Sequence, residues 1–151
     1  MQLTGKDIEK QCDRGRLIRG KALYASKAVQ NLTIMEKGED VRDWMLENYE
    51  EGLSRLPEET EQENSLCVVQ AEVLGSTGNE YHPVLVLDSA AEDRILYASC
   101  DCKDYMGGTP FCKHCVAVGH NVVMQLLEEK LSDKLVSARD LEKQKEGTTA
   151  E

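Results

Sequence analysis

Residues 94–127, RILYASCDCKDYMGGTPFCKHCVAVGHNVVMQLL, decide how the chain is read. They open on RILYASC (94–100), an apolar run with the character of a strand. They close on KHCVAVGHNVVMQLL (113–127), where Cys115, Gly119, Val122, Val123 and Leu126 fall on an arc of about 100° at helical spacing, with Val116 and Leu127 beside it. A strand therefore leads through a cysteine cluster into a helix over about 113–128, whose apolar face packs on a sheet. Four of the six cysteines, Cys100, Cys102, Cys112 and Cys115, lie within sixteen residues, together with His114.

In a short chain with no secretory signal, clustered cysteines favour metal over disulfides. Along an extended strand residues i and i+2 point the same way, so Cys100 and Cys102 present both sulfurs to one point if the strand end bends. Gly107, Gly108 and Pro110 then let the chain reverse. Within a regular helix i and i+2 are about 200° apart, so Cys112 must precede the helix or cap it, with His114 in the first turn. Exposed N–H groups and the positive end of the helix dipole suit a thiolate there. The pattern is C-x-C-x(9)-C-x-H, and three thiolates with one imidazole form the closed tetrahedral set of structural zinc. Cys115 competes for the fourth position, since C-x-C-x(9)-C-x-x-C also makes a site. His114 is preferred because Cys115 falls on the apolar arc and His114 about 100° from it. A redox-active dithiol is the remaining reading of the cluster. Cys12 and Cys67 stand apart and read as small buried residues.

The rest of the chain organises around this unit. Its 151 residues carry 28 Asp and Glu against 18 Lys and Arg, a net charge of −10, which suits one domain and excludes a surface that is basic throughout. No run of 18 apolar residues and no signal-like N-terminus is present, so the expectation is a soluble, cytoplasmic protein, nuclear if eukaryotic. Thr4 and Asp7 resemble a capping box for a helix over about 4–14. Residues 14–35 hold Arg14, Arg16, Arg19, Lys21 and Lys27 and no acid, and VQNLTI (29–34) reads as a strand ended by Gly38. From Asp40, Val41, Trp44, Met45, Tyr49, Leu53 and Leu56 recur at helical spacing as one amphipathic helix, whose stripe reads as core with a partner-contacting face as the alternative. Residues 36–63 carry eleven acids and three bases, and PEETEQENS (57–65) reads as a mobile loop. CVVQAEVLG (67–75) and YHPVLVLD (81–88) read as a hairpin across STGNE, with Pro83 at an edge or strand start. After 128 a charged segment with sparse Leu131, Leu135 and Leu141 continues as a weaker, fraying helix. The expected fold is α+β: a small antiparallel sheet, a zinc site at its edge and the C-terminal helix packed across it. The expected domain is 1–128, with the finger at 98–120, an acidic helical insertion at about 40–64 and a charged helix or tail at 129–151.

ASCDCKDYMGGTPFCKHCVAV resembles the SWIM zinc finger in Cys100, Cys102, Cys112 and His114, and Ala117 matches the alanine that often follows. RGKALYASKAVQNLTI (19–34), with Gly20, Val29 and Leu32, and VLGSTGNEYHPVLV (73–86), with Gly75, Ser76 and Tyr81, are similar to the strands preceding the finger in free-standing prokaryotic members. The acidic 40–64 segment and Cys115 depart from that pattern. The resemblance implies Zn2+ as cofactor and an interaction module in a DNA-processing complex, with a helicase or recombinase-type protein partner. It implies no catalysis, membrane contact or small-molecule substrate. Direct DNA binding is the alternative, with Arg14, Arg16, Arg19, Lys21 and Lys27 lining a groove against phosphates. The competing account of these cations is a solvated loop that pairs with the acidic segment. Of the spare histidines, His82 reads as a surface residue and His120 as a half-buried helix residue.

Overall fold

Period-two alternation along one central strand sorts the side chains into two cores. In the computed structural model, which describes residues 1–36, 38–55 and 65–149, that strand is β2 (Leu66–Leu74). It lies between β1 (Val29–Met35) and β4 (Val84–Asp88), β5 (Ile95–Ser99) follows beside β4, and β3 (Glu80–Tyr81) pairs with the end of β2. All pairings are antiparallel, with Val68 opposite Val86 and Met35 opposite Val68.

The odd-numbered β2 residues Cys67, Val69, Ala71 and Val73, with Leu85, Leu87 and Ile95, face an inner core. α6 (Lys113–Thr149), α1 (Gly5–Glu9) and α2 (Arg14–Ala25) close over it. The even-numbered Leu66 and Val68, with Val86, face a smaller outer core completed by Val41 and Met45 of α3 (Gly38–Asn48), with Trp44 half-buried at its margin. α4 (Glu50–Arg55) follows, and Tyr49 stacks on Tyr97 of β5 with ring centroids 3.9 Å apart. The architecture is the expected α+β fold, with the Trp44 stripe as core.

Along α6 burial runs all round from Cys115 to Val118, because the sheet lies on one side and α2 on the other. The two helices cross at Gly20, where an added Cβ would stand 2.4 Å from Val116 Cβ and 2.8 Å from the Lys113 carbonyl oxygen. Such an approach admits only glycine. The Thr4 capping box is present, with Asp7 Oδ2 accepting from Thr4 N at 2.9 Å. Pro83, which has no N–H to give a ladder, stands just before β4. Gly78 takes a φ of +85° in the turn between β2 and β3.

Two expectations are corrected. The helix over 4–14 ends at Glu9, and a second helix begins at Arg14, because the Asp13 side chain accepts from Arg16 N at 2.8 Å and caps a new start. The basic stretch is consequently helical through Ala25 and not a loop. α2 packs in the inner core and α3 on the outer, and Arg16 pairs with Asp13 and Asp104. The C-terminal helix continues past 128 as expected, with α6 running to Thr149. Leu56, most of PEETEQENS and the Leu141 side chain lie outside the described residues. Among the described residues no helix is long and apolar enough to cross a membrane.

Candidate metal centre

β5 ends at Ser99, one residue before the first candidate ligand. Cys100 therefore leaves the sheet pointing inward, while Asp101 turns out to bond His82 N and Nδ1, each at 2.8 Å. Cys102 is not on the strand, as the i, i+2 argument expected. It caps the short helix α5 (Lys103–Met106), its sulfur accepting from Tyr105 N at 3.4 Å. The change of direction at Asp101 does the work assigned to a bent strand end. Gly107 ends α5 and Gly108, at φ +110°, turns the chain back through buried Phe111. Cys112 then immediately precedes α6 and His114 sits in its first turn, the placement required by the 200° argument.

The outcome is one cluster. Donor atoms of Cys100, Cys102, Cys112 and His114 all lie within 4.8 Å of one another, and every one of these residues is buried. His114 Nδ1 stands 3.8 Å from both Cys100 Sγ and Cys112 Sγ. Tetrahedral zinc with bonds of about 2.3 Å to sulfur and about 2.0 Å to nitrogen demands donor separations of roughly 3.5–3.8 Å, so the set fits a metal ion of that size. With Nδ1 turned to the sulfurs, His114 Nε2 is buried without a hydrogen-bond partner. An orphaned donor costs about 1–3 kcal/mol, so the ring gains from this position only through Nδ1. Tyr81 holds it there by stacking at 4.4 Å, and Gly75 lies so close beneath the Tyr81 ring that an added Cβ would meet it at 2.8 Å.

Charge supports the same reading. The neighbouring Cys100 and Cys115 sulfurs hold Cys112 far below the usual thiol range, while their contacts with Cys112 and burial push Cys100 and Cys115 up. Burial raises Cys102 as well. Left to themselves the sulfurs thus favour one thiolate; a bound dication is what would sustain three. Cys115 is not among the four mutually close donors. Its fully buried Sγ lies 3.7 Å from Cys112 Sγ and 3.7 Å from the Ser99 carbonyl, which its thiol can donate to. Cys67 is buried, its thiol pushed up to about 12 by desolvation, and half-buried Cys12 donates to Ile8 O.

The five cations are not gathered into one groove. On α2, Arg14 and Lys21 are seven residues apart and share one side, Arg16 and Arg19 share another, and Lys27 lies beyond the helix end. Arg16 belongs to the metal loop. Its Nε and Nη2 donate to Asp104 Oδ2 and Oδ1, both at 2.8 Å, and Nη2 reaches Thr109 Oγ1 at 3.1 Å. Thr109 in turn donates to Asp104 at 2.8 Å, and the guanidinium holds the Asp104 carboxyl down to about 2. This clamp ties α2 to the loop between Cys102 and Cys112. Nothing in the sequence signals it, because Arg16 and Asp104 are 88 residues apart. Arg14, Arg19, Lys21 and Lys27 are exposed. A second group, Glu72, Glu80 and His82, brings carboxylate and imidazole donors together on the outer surface.

Comparison of the chain with family models, with curated proteins and with solved structures finds no match.

Proposed function

We propose that the chain is a zinc-stabilised interaction module of the SWIM-finger kind. The convergence of Cys100, Cys102, Cys112 and His114 in one buried cluster carries this reading. The spacing C-x-C-x(9)-C-x-H supports the finger type. Three thiolates and an imidazole would fill a tetrahedral shell and leave no open position for a substrate, which favours structural over catalytic zinc. Bound there, zinc would supply apparent folding free energy on the order of 10 kcal/mol or more. The residues themselves divide the labour: Cys100 brings in the end of the sheet, Cys102 the loop, and Cys112 and His114 the start of α6.

The partner is a protein, in keeping with the helicase and recombinase-type associations the resemblance implies. Direct DNA contact is the weaker alternative, since Arg16 is engaged by Asp104, the other cations are spread around α2, and the chain carries a net −10.

Elemental analysis of wild type and Cys102→Ser tests the metal, with circular dichroism before and after chelation. The expected result is one zinc per wild-type chain, little or none in Cys102→Ser, and loss of folded signal on chelation. Wild-type chain that holds no metal, or that keeps its spectrum after zinc removal, overturns the reading.

A further inference from the structure

The metal cluster belongs to the inner side of the sheet; among the described residues the outer side is only partly covered, with α3 packed on Leu66, Val68 and Val86. Two adjoining cavities of about 460 and about 330 Å³ lie there over β1 and β2, sharing Thr33 and Gln70. Glu36 and Asp40 line the first and Glu72 the second, and among the described residues no lysine or arginine lines either. Carboxylate oxygens of Glu72 and Glu80 lie within 4.8 Å of each other, so two acids are crowded here. Asn31 Nδ2 donates to Glu72 at 2.6 Å, and His82 Nδ1 is already bonded to Asp101 at 2.8 Å. Adjacent carboxylates on one sheet face repel unless a cation lies between them.

We infer that this groove docks an extended, cationic segment of a partner protein, one Lys or Arg side chain lying at Glu72 and Glu80 and a second at Glu36 and Asp40. The inference rests on the reading of the chain as a protein-interaction module. The register fixes the spacing of the two cations. Gln30 pairs with Glu72 and Met35 with Val68, and Glu36 follows Met35, so the two acidic ends of the groove are at least the four residue steps from Val68 to Glu72 apart on β2. At about 3.3 Å per residue that is roughly 13 Å, the separation of side chains i and i+4 on an extended strand. The segment lies across the sheet face and does not extend the sheet, because the β1 register is broken between Gln30 and Thr33 and Asn31 sits at φ +51°. The net charge of −10, concentrated over residues 36–63, attracts such a segment and repels nucleic acid.

The test titrates metal-loaded full chain, 15N-labelled, with nine-residue Thr/Ser peptides carrying two lysines four apart, two adjacent lysines, or two glutamates four apart. The expected result is amide shifts at Thr33 and Gln70 with the first peptide, binding about tenfold tighter than with the adjacent-lysine peptide, salt-sensitive, and absent with the glutamate peptide. The double variants Glu72→Gln/Glu80→Gln and Glu36→Gln/Asp40→Asn, one at each end, should each weaken binding about tenfold while metal content and circular dichroism stay unchanged. Equal binding of the two lysine peptides, unchanged binding by both variants, shifts elsewhere, or tighter binding of duplex DNA overturns the inference. Shifts at Glu72 and His82 produced by divalent cation and not by peptide overturn it in favour of a simple cation site. Folded, metal-loaded chain that ignores the peptides removes the groove and leaves the zinc module standing; chain without metal removes the earlier reading instead.

Discussion

Gly20→Ala adds one methyl group at the point where α2 and α6 press together. The new Cβ would lie 2.4 Å from Val116 Cβ and Cγ1 and 2.8 Å from the Lys113 carbonyl oxygen, against an ordinary contact of about 3.4 Å or more. Neither obstacle is the free end of a flexible side chain: one is a β-branched stem held in a fully buried position, the other is backbone. The helices must therefore separate by roughly 1 Å. Overpacking of this kind costs about 1–3 kcal/mol, and the backbone contact places it at the upper end. Replacing glycine by alanine inside a helix offsets about 1 kcal/mol. The net loss is about 2 kcal/mol, or ~4–8 °C in Tm for a domain of this size. The affected turn of α6 also carries Cys112 and His114 on either side of Lys113, and metal–ligand distances tolerate only about 0.2 Å. Chelator competition should accordingly show zinc affinity reduced at least tenfold. A melting curve at or above wild type, with unchanged affinity, would mean that helix propensity alone acts at this position and would refute the close crossing.

Three further outcomes follow from the same geometry. His114→Ala should lose most of its zinc and Cys115→Ala should keep it at a modest cost in stability; the reverse pattern of metal content would make Cys115 the fourth ligand. Arg16→Ala should speed zinc release to a chelator and Arg16→Lys should restore little of it, since only the planar guanidinium spans both Asp104 oxygens; release at the wild-type rate would dismiss the clamp. Asp7 is buried, which by itself would raise its carboxyl, but bonds from Thr4 and the Arg94 guanidinium outweigh burial and lower it from 3.8. Its contribution to stability is therefore complete above about pH 4 and fades as pH falls through the lower folded value; an NMR titration that places Asp7 at or above 3.8 would contradict this.

Much of the candidate centre was legible because its parts are local. Cys100, Cys102, Cys112 and His114 span fifteen residues, and the 100° step of a helix was enough to place Cys112 ahead of α6 and Cys115 on its apolar side. The capping box at Thr4 and the strand alternation from Cys67 to Val73 are equally short-range signals. α2 was missed because Asp13 looks like one more charge in a charged stretch until its side chain is seen to accept from Arg16 N. The role of Cys102 as a cap was missed because the helix it caps, Lys103–Met106, is four residues long and too short to leave a periodic pattern.

What the amino-acid sequence determined by itself is the cysteine and histidine cluster and the passage from strand to helix that carries it, both of which depend on periods of a few residues. What only the tertiary structure decided is which of those faces meet: that the basic helix joins the inner core and the acidic one the outer, that Gly20 receives Val116, and that Arg16 closes on Asp104 and not on phosphate. The last two contacts join residues 96 and 88 positions apart. Their energy comes from burial and from pairing across the fold, so no local period along the chain records them.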